Sequence, residues 1–534
     1  VNTVILSKGF FFNHRESNMK NLLHLRSLWA LVLLASIVSA QPTIVNGQSA
    51  ELPRAYDLRK VEGVTPIKSQ QGGTCWTHGT MAAIESNLLV SGTWKKLGQP
   101  GIPCLSEYHL DWWNGFNKHK NDDVDEPAKQ ATGMTVHQGG DYRVAAAYIS
   151  RGDGVVPAPC DDKNVADTKS WFSKTPDRAH PEYKRYYVRD IEWFVIGDNL
   201  ENIDTVKARI MKYGAIGTAY TVGAFMSKDF IQYQPKDDKR QPNHSVAIAG
   251  WDDDKVTADA DKKTTKPGAW LIKNSWGEMR KNKKTGVEAP VGDKGYMWIS
   301  YYDKVCCRDP EMGAVSFRNV EPMKYTHIYF HDYHGWRDTL KDINKAFNVY
   351  TAASDHNLKA VSFYTAADNV QYTAKIFSKF EKGELQGLRA TKTGSMRYTG
   401  FHTVDLDLPV AVMKGETFIV YVEVSHGGQA IDRTSEITVL LDQPEPKKAA
   451  ATQPDKKDPE KKDPEKKEPG KKGGGGGMKK NPIVISKANP GESYYHDGKA
   501  WVDLYDYRFT NPMWGTFDRT ANFCMKALAV DMGK

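Results

Sequence analysis

Three residues far apart in the chain have the types needed for acyl transfer. Cys75 lies in "IKSQQGGTCWTHGT" (Ile67 to Thr80), His244 opens the apolar run "NHSVAIAGW", and Asn274 closes the next one in "LIKNSWG". A thiol attacks a carbonyl only as the thiolate, so such a cysteine needs a field that lowers its pKa. Cys75 sits where a loop holding Gly72 and Gly73 gives way to a helical pattern, and a helix N-terminus favours the anion. The chemistry also needs a base to move the proton, a group to orient the base and a donor for the oxyanion. His244, Asn274 and Gln70 are the candidates in that order, with Gln71 as the alternative to Gln70. By itself Cys75 could equally be a buried thiol or half of a disulfide.

These residues need elements to hold them. After Cys75, Met81, Ile84 and Leu88 recur at helical spacing and Gly92 supplies a stop; a second helix is expected over Tyr142 to Ser150. Buried-strand runs follow at Ser245–Trp251, Ala269–Trp276 and Gly295–Tyr302, so helices come first and antiparallel strands later, an α+β pattern. Adjacent antiparallel strands would bring His244 and Asn274 together. From about Tyr325 the texture changes to short β runs such as "AFNVYTA", "KAVSFYTA" and "TFIVYVEVS", bounded by Gly, Asn, Asp or Pro, which reads as an all-β sandwich.

At these motifs the sequence resembles the papain-like cysteine peptidases. The resemblance starts with "LPRAYDLRKVEGVTPIKSQQGGTCW" and continues through "LSEYHLDWW", "GGDYRVAAAYI", "NHSVAIAGW", "LIKNSWGE" and "GDKGYMWIS", in family order. It implies Cys75 as nucleophile, His244 as base, Asn274 as the residue that orients it and Gln70 as oxyanion donor. It further implies that Trp276 shelters the His–Asn bond and that Gly139 and Gly140 offer backbone to the substrate. The chain departs from the family in three ways. Its turn is one residue short between Gln and Cys and lacks the usual half-cystine. Trp112 and Trp113 stand where that cysteine's partner would be, and His78 replaces an aromatic residue. The β region resembles the lectin-like domain that follows the peptidase in exported bacterial and archaeal members, through "YFHDYHGW", "GFHTVDLDLPV" and "NPGESYYHDGKAWVDL".

The resulting expectation is a signal peptide over 1–40, with cleavage after Ala40 and residues 1–18 as an over-extended start, then a papain-like domain over 41–320. A lectin-like sandwich covers 321–444, a disordered Lys/Pro/Gly-rich insertion 445–480, and closing strands of the sandwich 481–534. Only about ten residues separate Ala40 from Leu52, so control by a long inhibitory propeptide is not expected.

Residues 1–40 carry +3 and Glu445–Lys480 carries +5, which accounts for the whole net charge of +8. The remainder is balanced, which argues against a nucleic-acid groove. Six cysteines are too few for a disulfide scaffold; Cys306 and Cys307 read as strand-end residues, one bridged to Cys160 or Cys104. His327, His331 and His334 lack a zinc signature, the acidic loop Asp252–Asp261 lacks calcium-loop spacing and reads as solvated, and "RGD" at Arg151–Asp153 reads as chance. No cofactor or metal is expected. The leading expectation is an exported cysteine peptidase, secreted or in the cell envelope of a bacterium, acting on proteins or peptides with no membrane span after signal cleavage. The alternative is a surface adhesion protein that binds carbohydrate or protein through the sandwich.

Overall fold

The computed structural model describes residues 52–124, 132–158, 169–222, 227, 230–256, 266–281, 285–440, 481–509 and 517–533. The segment read as a signal peptide, the Lys/Pro/Gly-rich stretch, Cys160 and the second half of the acidic loop lie outside them. Leu52 onward forms one compact unit.

Helix α1 (Cys75–Val90) is buried all round from Cys75 to Leu88. Such a helix has no polar face to turn outward and must run through the middle of a core. Ser106 caps α2 (Glu107–Trp113), its Oγ accepting the His109 N–H at 3.0 Å. Asp141 caps α3 (Tyr142–Ser150) by accepting the Val144 N–H at 2.7 Å, and α3 has the bounds its spacing predicts.

Against these helices lie β1 (Tyr186–Phe194), β2 (Ile216–Tyr220), β3 (His244–Val256), β4 (Pro267–Lys273), β5 (Tyr296–Ser300) and β6 (Ala314–Pro322), hydrogen-bonded in the order β1-β6-β2-β3-β4-β5. Every pair in that run is antiparallel. In the registers Tyr220↔His244 and Ala247↔Lys273, His244 opens β3, and Asn274 follows immediately on the end of β4.

The second half builds β7 (Lys345–Thr351), β8 (His356–Thr365), β9 (Val370–Glu381), β10 (Glu384–Met396), β11 (Gly400–Val412), β12 (Thr417–Val424) and β13 (Met525–Asp531). One sheet contains β10-β9-β12-β7, and the other contains β13-β8-β11. Between them lies an apolar core that includes Leu358, Val361, Ile376, Val420, Val422 and Ala527. Strand β10 had no counterpart among the expected strands. It is a polar outer edge with no apolar face for a period-2 signal to reveal.

The two halves share more than a linker. Strand β11 pairs with β1 through Gly400↔Glu192, Phe401↔Ile191 and His402↔Asp190, so one twelve-stranded sheet runs through both. Ala145, Tyr148 and Tyr187 of the first half and Ala360, Tyr364, Phe401 and Leu528 of the second belong to one apolar cluster. The salt bridge Arg189–Asp405 (2.9 Å) and the contact of His402 Nδ1 with Asp190 Oδ1 (3.3 Å) flank the junction.

Two expectations need correction. Cys306 and Cys307 are buried thiols outside any disulfide, as is Cys524, whereas Cys104 is disulfide-bonded. The adjacent pair is held by the fold instead, with the Cys307 N–H donating to Thr218 Oγ1 at 3.1 Å. The described part of the acidic loop is paired, not merely solvated: Asp253 Oδ1 accepts from Lys207 Nζ at 2.6 Å and from Tyr301 at 2.7 Å. The Arg151–Asp153 tripeptide turns inward, since Arg151 Nη2 donates to the Asn114 carbonyl and Nε to Asp153, both at 2.9 Å.

Candidate active site

Cys75 is the first residue of α1, and no acidic residue lies in the first turn, so the helix dipole there favours its thiolate. Gly79, one turn on, lies where an added Cβ would be 2.5 Å from Tyr142 Oη and 3.0 Å from Ser245 Oγ. That close approach packs the start of α1 against the start of β3, which His244 opens.

His244 is fully buried and donates Nε2–H to Asn274 Oδ1 at 2.8 Å. In a neutral imidazole this leaves the basic lone pair on Nδ1. Trp276 stacks on the ring at 4.7 Å between centroids and 24° between planes, and Tyr220 meets it edge-on at 5.4 Å. Asn274 is fixed in turn by its N–H to the Gly295 carbonyl (3.0 Å) and by the Ser275 N–H to its Oδ1 (2.7 Å).

Gln70 is tied to the same loop. Its backbone N–H donates to the Ser275 carbonyl at 2.7 Å, and its Oε1 accepts from Ser275 Oγ at 2.6 Å. Its Nε2 reaches the Gly72 carbonyl at 3.1 Å, across the turn that ends at Cys75. Gln71 is anchored elsewhere, with its N–H on Tyr108 Oη at 3.1 Å. Gly139 has φ 92° and donates its N–H to the Gly73 carbonyl at 2.9 Å. Gly140 lies against Trp76, so closely that an added Cβ would come within 2.5 Å of the indole. The structure thus gathers Gln70, Cys75, Gly139 and Gly140 around one turn and His244, Asn274 and Trp276 around one strand end.

Beneath the site lies a buried charge cluster that the sequence reading did not identify. Lys68 Nζ bonds Glu85 and Glu107, each at 2.6 Å, and the Leu105 carbonyl at 3.1 Å. Its residue's carbonyl accepts the Gly277 N–H at 3.1 Å, and the next residue, Ser69, bridges to Trp276. The cluster therefore fixes the segment that delivers Gln70. Burial opposes the Lys68 charge, but both carboxylates overcome it and hold its pKa up. Lys273 and His78 line a cavity of about 10 Å³ beside it. Burial pushes the Lys273 amine down to about 8, and it lowers the His78 pKa as well, the nearby Glu107 charge notwithstanding. His78 thus belongs to this cluster, its Nδ1 2.9 Å from the Thr74 carbonyl. On the Trp276 side a cavity of about 840 Å³ is bounded by Asn274, Trp276, Arg280, Val287 and Tyr296.

His327, His331 and His334 do not converge. His327 stacks on His356, His331 stacks on Tyr350, and His334 instead meets Asp123 and Asp432, with one donor atom from each within 4.8 Å of the others. Both ring nitrogens of His334 face protein partners, Nδ1 on Ser486 Oγ at 2.7 Å and Nε2 on Asn121 Oδ1 at 3.1 Å. Among the described residues no helix is long and apolar enough to cross a membrane.

Residues 129–311 match the family model described as papain family cysteine protease, and residues 328–450 match that of the lectin like domain. Pro-cathepsin H of Bos taurus is 25% identical over 262 residues, 48% of this chain and 62% of that protein. A cathepsin L-like peptidase of Aedes aegypti is 25% identical over 261 residues, 48% of this chain and 61% of its own length. The chain thus spans less than two thirds of these curated relatives. The crystal structure of the cysteine protease and lectin-like domains of Cwp84, a surface layer associated protein of Clostridium difficile, aligns with a TM-score of 0.60 at 22% identity, covering 90% of this chain and 89% of that one. The fold is therefore a papain-like domain followed by a lectin-like β domain. The papain-family match begins after Cys75, so the place of that residue rests on the geometry above.

Proposed function

From a chain that carries a papain-family protease domain and a lectin-like domain, we propose an exported cysteine peptidase that hydrolyses peptide bonds in protein or peptide substrates. The observation that carries this reading is the buried His244–Asn274 bond of 2.8 Å beneath Trp276, at the strand end against which the N-terminus of α1 packs. Cys75 gives its proton to His244 and its Sγ adds to the substrate carbonyl carbon. The oxyanion is held by the Cys75 N–H and by Gln70, which Ser275 fixes on the correct side of the turn. His244 protonates the departing amine, leaving a thioester; it then takes a proton from water, which attacks the thioester and releases the acid. Asn274 keeps the base in one orientation, and Gly139 and Gly140 present backbone to the substrate chain. The lectin-like domain would hold the enzyme at a cell-envelope surface, a setting consistent with the surface-layer association of the Clostridium protein. Cleavage of a peptide library by wild type and by Cys75→Ala tests the proposal. Hydrolysis in wild type that disappears in the variant is expected, and equal hydrolysis in both would reject it.

A further inference from the structure

Residues 435–440, the last described part of the lectin-like half before the Lys-rich stretch, leave the sheets of that half and cross to the protease. Their base is anchored. Ser435 and Glu436 pair antiparallel with Val484 and Ile483, and the Ile437 N–H donates to the Pro482 carbonyl at 2.9 Å. That partner strand is pinned to the protease half by the Gly133 N–H on the Ile483 carbonyl (2.7 Å) and by Asn121 Nδ2 on the Ile485 carbonyl (2.8 Å). The tip reaches the candidate active site, where the Leu440 N–H donates to the Gly140 carbonyl at 3.1 Å and the Leu440 carbonyl oxygen accepts from Cys75 Sγ at 3.7 Å.

Both contacts occupy groups that catalysis needs. Leu440 main chain fills the place beside Gly140 where, on the reading above, substrate main chain would lie. A carbonyl oxygen facing Sγ suits the thiol as donor and would meet a thiolate with its own partial negative charge. The contact therefore favours the form of Cys75 that does not attack. Ile437 and Leu440 are fully buried in the same apolar cluster as Cys75 and Trp76, so apolar burial seats the stretch along with its hydrogen bonds. Cys75 itself has no exposed surface.

We infer that residues 435–440 form an inhibitory strap: docked, it fills the cleft over Cys75 and excludes substrate, and the peptidase works only in molecules whose strap has lifted. The inference rests on the peptidase reading. No bond is made or broken. The strap is part of the chain, so closure is intramolecular and independent of protein concentration. The observed kcat/KM is the open enzyme's value multiplied by the open fraction, and weakening the strap raises that fraction.

The full chain in reducing buffer is assayed for hydrolysis of a fluorogenic peptide and for alkylation of Cys75 by a thiol-reactive epoxide. Leu440→Ala removes apolar burial that seats the tip, and Leu440→Pro removes the N–H given to Gly140. Each is expected to raise kcat/KM and the alkylation rate by the same factor, about tenfold. Hydrogen exchange in the wild type reads the strap without any substitution: the amides of 437–440 are expected to lose protection once Cys75 carries the epoxide. Rates equal to wild type in the folded variants, or a strap still protected on fully labelled protein, overturn the inference, while continued hydrolysis keeps the peptidase reading. Hydrolysis and labelling absent from wild type and variants alike remove the peptidase reading and the inference with it.

Discussion

Replacing Lys68 with methionine should destabilise the protease half by several kcal/mol and reverse its dependence on pH. Lys68 is the donor that Glu85 and Glu107 share, both carboxylates having no exposed surface. Glu85 keeps two donors without it, Thr65 Oγ1 at 2.6 Å and the Leu105 N–H at 2.8 Å. Glu107 loses its ammonium partner, and its Oε2 already has no hydrogen-bond partner among the described residues. Breaking a buried pair by removing one member costs about 3–5 kcal/mol. In the wild type burial would raise the Glu107 pKa, but the Lys68 charge prevails and holds it below the usual glutamate value. That contribution is complete above the unfolded pKa of about 4.5 and is lost as pH falls through the folded one. In Lys68→Met burial, the largest influence on Glu107, is opposed only by His78 and the Glu107 backbone, so the folded pKa rises, and stability is lost instead as pH increases from about 4.5. Urea denaturation at several pH values between 4 and 7 measures both effects, and Lys68→Met combined with Glu107→Gln should recover most of the loss. A change under about 1 kcal/mol, or a pH slope of unchanged sign, would refute the reasoning.

Lys273→Met should act in the opposite direction. Burial lowers its amine pKa to about 8, so charging it costs nothing above the unfolded value near 10.5 and costs fully below about 8. The variant is expected to be more stable by roughly 3 kcal/mol at pH 7, a gain that vanishes by pH 11 in denaturant titrations. Asn274→Ala removes the acceptor for His244 Nε2 and should lower kcat/KM about tenfold with little change in KM, as steady-state kinetics would record. Gly140→Ala drives a methyl into the Trp76 indole and should cost about 1–3 kcal/mol in urea titrations, with a weaker KM for peptide substrates.

The local chemistry was readable where the signal was local. The spacing of Met81, Ile84 and Leu88 indicated α1, and "YRVAAAYIS" gave the bounds of α3, because helical periodicity survives in a short window. His244 and Asn274 were readable as strand-end partners because each follows or opens a dense apolar run. What escaped depends on pairing across long separations. Nothing near Lys68 marks Glu85 and Glu107 as its partners, although the Glu of "LSEYHLDWW" was in view. Nothing in "ITVL" announces that Leu440 meets Cys75, nor does Gly400–His402 announce that it extends the protease sheet. The unbridged Cys306 and Cys307 show the same limit, since adjacency in sequence says nothing about which thiols meet in space.

The central claim is that Cys75 is the nucleophile, and covalent labelling tests it most directly. The full-length protein, pre-incubated in reducing buffer, is treated with a thiol-alkylating epoxide peptidase inhibitor and mapped by mass spectrometry. The account predicts one adduct on Cys75, with peptide hydrolysis lost in step with labelling. An adduct on another residue, or hydrolysis that persists after Cys75 is fully modified, would contradict it.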